Sequence, residues 1–259
     1  MNIHTIYGYF QRHFRPKRIR ALKAQLPLLD DPNTTILDVG GTAAWWATGV
    51  MPATRRITIV NTDASQATAC EQAGYRFLVA DGRNLPFADR QFDLVHSNSV
   101  IEHVGSFEDQ RRFAAEMFRC GNSIYVQTPN RWFFVEPHLI TVFLHWLPFR
   151  INRHFVRWLS VWGLVTRPRQ EKVDSVLHSI RLLSRDEVLG LFPGCQIQDE
   201  AFLGLTKSFV VLNTNTAKLG TAHGSHVPKK QSADGAVQVV HRRLQPPRQI
   251  GQSAAPTST

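Results

Sequence analysis

Thr35-Ile36-Leu37-Asp38-Val39-Gly40-Gly41-Thr42-Ala43-Ala44-Trp45-Trp46 is the stretch on which the fold turns. Ile36, Leu37 and Val39 form a short apolar run of the kind a buried parallel strand carries. Asp38 interrupts that run, and a charge inside a strand core is costly unless it has a partner. Two glycines follow, then residues able to open a helix. Strand, glycine turn and helix start together make a nucleotide-type site. Glycine lets the backbone approach a ligand, and the helix start offers unpaired N–H groups. An ordinary tight turn between strand and helix reads the same way, so the stretch takes its meaning from its surroundings.

Downstream, a helix from about Ala43 to near Pro52 leads to Arg56-Ile57-Thr58-Ile59-Val60, a second strand ending in Asn61-Thr62-Asp63. In a dinucleotide-type fold the end of this strand holds the ribose hydroxyls. Asp63 can serve there, or Asn61 as a neutral substitute; Asp63 can equally cap the helix that begins near Ser65. That helix, residues 64–73, closes on Gly74. A third strand, residues 76–80, ends at Asp81-Gly82. Phe92-Asp93-Leu94-Val95-His96 reads as a fourth strand, left through Ser97-Asn98-Ser99. A helix over 107–118 and a fifth strand over 123–127 follow. Strands alternating with helices argue for a parallel sheet covered on both faces.

After Asn130 the pattern changes. Residues 131–169 are crowded with Trp, Phe, His and Arg. Leu139 to Leu147 is apolar and Pro148 breaks it, then Phe155, Trp158, Leu159, Trp162 and Val165 recur at helical spacing, so two short amphipathic helices are expected here. They read as a cap on the core, and also as a substrate lid or an interfacial membrane contact with arginines at the headgroups. Ser184 and Glu187 form a capping box for a helix reaching Phe192. Two strands, 196–202 and 207–213, close the domain around Leu203-Gly204-Leu205-Thr206. The expected organisation is a basic amphipathic segment over 1–33, a folded domain over 34–213 with 131–169 inserted, and a disordered basic tail over 214–259.

The 259 residues, 43% of them hydrophobic, suffice for one sizeable core. Cys70, Cys120 and Cys195 are far apart and form no CxxC pair, so neither a disulfide framework nor a zinc site is suggested, and no metal-ligating set is expected. A reducing, cytoplasmic setting fits this cysteine usage. No uninterrupted apolar stretch is long enough for a spanning helix, and the N-terminus lacks the apolar core of a signal peptide. The net charge of +10 lies largely at the two ends. Arg12, Arg15, Lys17, Arg18, Arg20 and Lys23 precede any acid, and the last forty-odd residues set six Lys and Arg against Asp234 alone. Such ends suit anionic lipid, nucleic acid or an acidic partner, or simply keep the chain soluble. Ile19, Leu22 and Leu26 recur at helical spacing and suit packing on the core or on a membrane surface.

Read together, these segments resemble the class I S-adenosylmethionine-dependent methyltransferases, and within them the type 11 methyltransferase-like group. The resemblance spans roughly 34–213. Its most specific part runs from Ala80-Asp81-Gly82-Arg83-Asn84-Leu85-Pro86-Phe87 through Phe92-Asp93-Leu94-Val95 to Ile101-Glu102-His103-Val104. It implies a Rossmann-like, doubly wound, mostly parallel seven-stranded sheet with a C-terminal antiparallel hairpin and a helical insertion. It implies S-adenosylmethionine as cofactor. Asp38, Gly40 and Gly41 would form the loop under its methionine part, and Asp63 or Asn61 would face the ribose. Asp81, with Gly82 beside it, would accept from the adenine amino group. Asn98 and Ser99 would line the reaction end. Carboxylates suit the donors that adenosine offers. One departure stands out. The family's loop reads Asp-x-Gly-x-Gly-x-Gly, whereas here the glycines are adjacent and Trp45 and Trp46 follow. The GxGxxG of NAD-binding folds is absent as well.

The implied reaction is in-line methyl transfer to a small-molecule, lipid or glycan acceptor, most simply an O-methylation. An enzyme of this kind mainly positions its reactants and excludes water. A hydroxyl acceptor calls for a base. His103 and His138 are the candidates, with Glu102 and Glu136 behind them; His103 can also be a helix-start residue fixed by packing. Two alternatives stand beside this reading, a non-catalytic binding protein on the same fold and an RNA methyltransferase. No RNA-binding motif or Asn/Asp-Pro-Pro-Tyr/Phe signature is present, so no specific nucleic acid is expected. The aromatic insertion favours an apolar or amphiphilic acceptor and peripheral contact with an anionic membrane.

Overall fold

A computed structural model describes residues 5, 8, 18–47 and 56–213. The chain divides into two units, Met1–Lys218 and Leu219–Thr259; everything below concerns the first. The aromatic and basic residues before Arg18, the helix end near Pro52 and the basic tail lie outside the described residues.

Seven strands make the central sheet: β1 (Ile36–Val39), β2 (Ile57–Asn61), β3 (Arg76–Val79), β4 (Phe92–Asn98), β5 (Gly121–Pro129), β8 (Gln196–Phe202) and β9 (Leu205–Asn213). Their order is β3-β2-β1-β4-β5-β9-β8. Neighbours from β3 to β5 are parallel, while β9 runs antiparallel to β5 and to β8. The order reverses between β1 and β4, so their C-terminal ends flank a crevice, which is where ligands bind in open α/β sheets.

Alternation along the strands builds two cores. Leu37, Val39, Val95, Ile124, Val126 and Val211 face α4 (Phe107–Cys120) and α8 (Arg185–Leu191). Phe113, Ala114, Met117 and Cys120 form the buried stripe of α4, one face of a 3.6-residue period. The capping boxes of α4 (Ser106 with Asp109) and α8 (Ser184 with Glu187) fix where both helices start; losing such a cap costs about 1 kcal/mol. On the opposite face Ile36, Ile57, Ile59, Leu94, Tyr125 and Leu212 meet Ile19 and Leu22 from α1 (residues 18–25), Leu26 just after it, Trp45 and Trp46 from α2 (Ala43–Trp46), and Cys70 from α3 (Ala67–Gln72). The N-terminal helix therefore packs on the sheet, the core-facing of the two readings of its apolar spacing.

Between β5 and α8 lies the insertion. It holds a two-stranded ribbon, β6 (Val135–Glu136) with β7 (Thr141–Val142), then α5 (Phe149–Leu159), α6 (Val161–Thr166) and α7 (Gln170–His178). The helical spacing of Phe155 to Val165 falls on α5 and α6, whereas the apolar run 139–147 forms β7 and a 3-10 turn over Leu144–Trp146. The ribbon and α7 are additions, so the insertion extends past 169. It has its own small core of Leu139, Leu144, Val156 and Val173.

Candidate functional site

A cleft of about 300 Å³ opens at the C-terminal ends of β1 to β4. Val39 and Gly40 come from the end of β1, Asn61 and Thr62 from β2, Asp81, Gly82 and Arg83 from β3, and Ser99, Val100 and His103 from beyond β4. A second hollow lies elsewhere, lined by Gln25, Gln196, Gln198 and Asn213, with no ionisable group among its lining residues. The cleft is the only one of the two where acids, histidine and glycine backbone converge.

The glycine pair is required by contact. Gly40 has φ +77°, and a Cβ there would lie 2.5 Å from a methyl of Val100. A Cβ on Gly41 would lie 1.7 Å from Asp38 Oδ2. Asp38 itself faces the second core and is 1% exposed. Trp46 Nε1 donates to its Oδ2 at 2.6 Å, and His96 Nδ1 lies 2.7 Å from its Oδ1. His96 stacks on Tyr125, with ring centroids 5.2 Å apart. Asp38 thus supports the loop from beneath and does not line the cleft, which corrects the expected placement of its side chain beside the cofactor. The reason is the departure noted in the sequence: Trp46 follows the loop and brings a donor to the carboxylate.

At the end of β2, Asn61 lines the cleft and Asp63 does not. Asn61 Nδ2 donates to the Gly41 carbonyl at 3.0 Å, tying β2 to the glycine loop. Asp63 caps the turn over Ala64–Gln66 by accepting from the Ser65 N–H, and those hydrogen bonds hold its pKa below the ordinary 3.8. Of the two ribose candidates, geometry leaves Asn61, with Thr62 beside it.

Asp81 stands at the cleft rim, with Gly82 packed over Phe113 and Val39. Arg83 donates to both Asp81 oxygens, its Nη2 reaching Oδ2 at 2.6 Å, and its Nη1 bonds Asp109 at 3.0 Å. These hydrogen bonds, against some desolvation, hold the Asp81 carboxyl below its ordinary range. Sequence reasoning missed Arg83 as a cleft residue; its place two positions after Asp81 was the available signal.

Leaving β4, Asn98 and Ser99 part company. Asn98 Oδ1 accepts from Arg18 at 2.9 Å, and Arg18 also bonds both oxygens of Glu200. Asn98 is therefore engaged on the α1 side, outside the cleft lining. Ser99 lines the cleft at φ +54°, a left-handed backbone that a non-glycine residue adopts at a cost of about 1–3 kcal/mol. Its Oγ bonds Gln127 Oε1 at 2.9 Å.

His103 lines the cleft at its outer end and meets His138 of the insertion, Nε2 to Nε2 at 3.0 Å. His138 Nδ1 sits 2.5 Å from Glu136 Oε1. Burial works against charge on His138, but the hydrogen bond and charge of Glu136, joined by Glu102, outweigh it and raise its pKa. His103 is held below the ordinary 6.5 by desolvation, despite Glu102, with His138 adding to the lowering. The fold thus brings together two residues 35 positions apart that the sequence singled out separately.

The residues present suit S-adenosylmethionine: a glycine loop that any Cβ would block, an acid just after β3, a polar end to β2 and a cleft that reaches His103. A family model described as "Methyltransferase domain" matches residues 37–123. Those 87 residues are 37% identical to an "Uncharacterized methyltransferase" of Mycobacterium sp. (strain JLS), and 36% identical to one of strain KMS. Each match covers 33% of this chain and 33% of the relative, so the chain matches about a third of the length of these curated relatives. Among solved structures, an S-adenosylmethionine-dependent methyltransferase of Thermotoga maritima, described as a possible histamine N-methyltransferase, aligns over 83% of this chain and 95% of that one. The TM-score is 0.52 at 15% identity, which speaks to the fold alone.

Proposed function

We propose that this chain carries a class I S-adenosylmethionine-dependent methyltransferase domain and transfers a methyl group from that cofactor to the hydroxyl of an amphiphilic acceptor, a lipid, glycan or small molecule. The observation that carries the reading is the cleft itself, which runs from the Asp81 rim to His103, and His103 in turn meets His138 of the aromatic insertion.

When bound, the cofactor supplies a methyl group on a positive sulfur; the acceptor oxygen forms the new C–O bond as the C–S bond breaks and its electron pair stays on the now neutral thioether. Asp81 accepts from the adenine amino group, Asn61 and Thr62 meet the ribose, and the loop at Gly40 and Gly41 lets the backbone approach the methionine part. Ser99 flanks the reaction end. Asp38 and Asn98 act from behind, by holding the loop and the β4 exit. The acceptor hydroxyl sits at the His103–His138 end of the cleft, where it is deprotonated. The insertion keeps water from the reacting atoms, which favours loss of the sulfonium charge.

The insertion also supports a membrane-facing acceptor. On α5, Asn152 and Val156 are buried, while Ile151, Phe155, Trp158 and Leu159 form an exposed stripe, with Trp158 63% exposed. Arg157 lies over the Trp158 ring at 5.2 Å. Between Arg131 and Arg169 the one acidic residue is Glu136, which is buried against His138. Aromatics below and arginines above are the composition of an interfacial helix. Among the described residues no helix is long and apolar enough to cross a membrane, so the contact is peripheral.

Radiolabelled methyl transfer tests the reading against hydroxyl-bearing lipids, glycans and RNA in parallel. Label in the lipid or glycan fraction supports it; label only in RNA overturns the choice of acceptor. Sedimentation with phosphatidylglycerol vesicles tests the membrane contact. Retention that falls at least tenfold in Phe155→Ser/Trp158→Ser supports it, and equal retention by the variant contradicts it.

A further inference from the structure

Glu102 is 0% exposed, and its Oε1 has no hydrogen-bond partner. Its other oxygen accepts from Thr128 Oγ1 at 3.1 Å. An unpartnered buried carboxylate oxygen costs several kcal/mol unless something positive meets it. The groups that face it are not donors. His138 Nε2 is 3.7 Å away, and His103 Nε2 lies 3.0 Å from that nitrogen.

The far nitrogens of both rings explain why. His138 Nδ1 faces the Glu136 carboxylate at 2.5 Å, and His103 Nδ1 faces the Ser179 carbonyl at 3.3 Å. Each partner accepts, so in the neutral rings each Nδ1 carries the hydrogen and each Nε2 presents a lone pair. Three acceptor atoms therefore converge within 4.8 Å of one another. One proton can bridge only one pair of them, whereas a divalent cation meets all three.

We propose that Glu102 Oε1, His103 Nε2 and His138 Nε2 bind a divalent transition cation such as Zn²⁺ or Mn²⁺ at the acceptor end of the cleft. Bonds of about 2.0–2.1 Å in tetrahedral array put ligand atoms about 3.3 Å apart. The observed 3.0 and 3.7 Å bracket that spacing. Two imidazoles and a carboxylate favour zinc, manganese or iron over calcium or magnesium. Glu136 and the Ser179 carbonyl orient the two rings, the outer-shell arrangement that metal-ligating histidines use. Three protein ligands leave a coordination position open, as catalytic sites do, and His103 lines the cleft.

This inference rests on the methyltransferase reading for its purpose and names the acceptor class more closely. The acceptor is a compound whose hydroxyl oxygen, alone or with a neighbouring oxygen, ligates the cation. Coordination lowers the pKa of that hydroxyl, its proton passes to solvent, and the oxygen attacks the methyl carbon. The histidines are then ligands, and the acid strength of the hydroxyl is supplied by the cation.

The test takes the full chain, stripped with chelator and dialysed against Zn²⁺ or Mn²⁺, with bound metal measured by mass spectrometry and affinity by calorimetry. S-adenosylhomocysteine binding and circular dichroism are recorded on the same samples. The expected result is about one equivalent of metal, bound at least tenfold more weakly by Glu102→Gln, His103→Asn and His138→Gln, and about 10–100-fold more weakly by Glu136→Gln. S-adenosylhomocysteine affinity and circular dichroism stay unchanged in Glu102→Gln. No bound metal, or the same affinity in all variants with an intact fold, overturns the site. Metal binding without S-adenosylhomocysteine binding leaves the site standing and overturns the methyltransferase reading instead.

Discussion

The two ends of the cleft treat their polar groups in opposite ways. Around Gly40 and Asp81 the carboxylates and the Asn61 amide have partners within the protein, and the buried His96 Nε2 is the exception. Trp46 and His96 hold Asp38, the Gly41 carbonyl holds Asn61, and Arg83 holds Asp81. Around Glu102 and the two histidines, acceptors face acceptors and one buried oxygen is orphaned. A satisfied network makes a rigid cradle whose shape is set before anything binds. An unsatisfied one stores a deficit that only a ligand relieves. The first end thus reads as cofactor scaffold, the second as the place where chemistry is completed.

Substitutions at the two ends should differ in sign. Gly41→Ala forces a methyl into the Asp38 carboxylate, and displacing a buried charge from its partners costs about 3–5 kcal/mol. Urea denaturation should register that loss, and a change below 1 kcal/mol would mean the Asp38 network is not the scaffold. Glu102→Gln removes the orphaned charge while Thr128 keeps its acceptor. In metal-free protein it should leave stability unchanged or raise it by about 1 kcal/mol, measured the same way. A large loss would show that Glu102 is already paired.

Smaller effects sharpen the picture. Arg83 is partly exposed and occupies the Asp81 carboxylate, which the proposed function gives to adenine. Arg83→Ala should therefore change stability by less than about 1 kcal/mol and tighten S-adenosylhomocysteine binding a few-fold by calorimetry. Weaker binding would assign Arg83 to the cofactor directly. The least effect is expected in the insertion. There the Arg153 guanidinium, with Gln170, holds the Asp174 carboxyl down to about 2 from 3.8. A depressed carboxyl stabilises the fold above its unfolded value and loses that contribution as pH falls through the folded one. Hydrogen exchange in α7 should therefore hold steady down to about pH 4 and speed up between 3.8 and about 2. Arg153→Ala should abolish that acid dependence.

The parallel sheet was legible because central strands such as β1 and β2, buried on both faces, announce themselves as short apolar runs. The capping box at Ser184 was legible because its two members are three residues apart. What escaped were partners distant in sequence. Asp38 was visibly a buried charge in need of a donor, but His96 lies 58 positions on. Trp46 looked like a departure from the family's loop and proved to be the loop's support. Asp63 kept both of its readings until β2 placed its carboxylate on Ser65. His103 and His138 stood out singly, and only the ribbon of β6 and β7 brings their rings together. The absence of a CxxC pair spoke only to cysteine ligands and left the histidine and glutamate cluster unseen.

The measurement that bears most directly on the account is calorimetric titration of S-adenosylhomocysteine into the wild-type chain and Asp81→Ala. One-site binding by the wild type, weakened about tenfold or more in the variant as loss of a charge-assisted hydrogen bond requires, is the predicted result. No binding by the wild type, or equal affinity in both with the fold intact, would contradict it and leave a methyltransferase fold whose cleft serves something else.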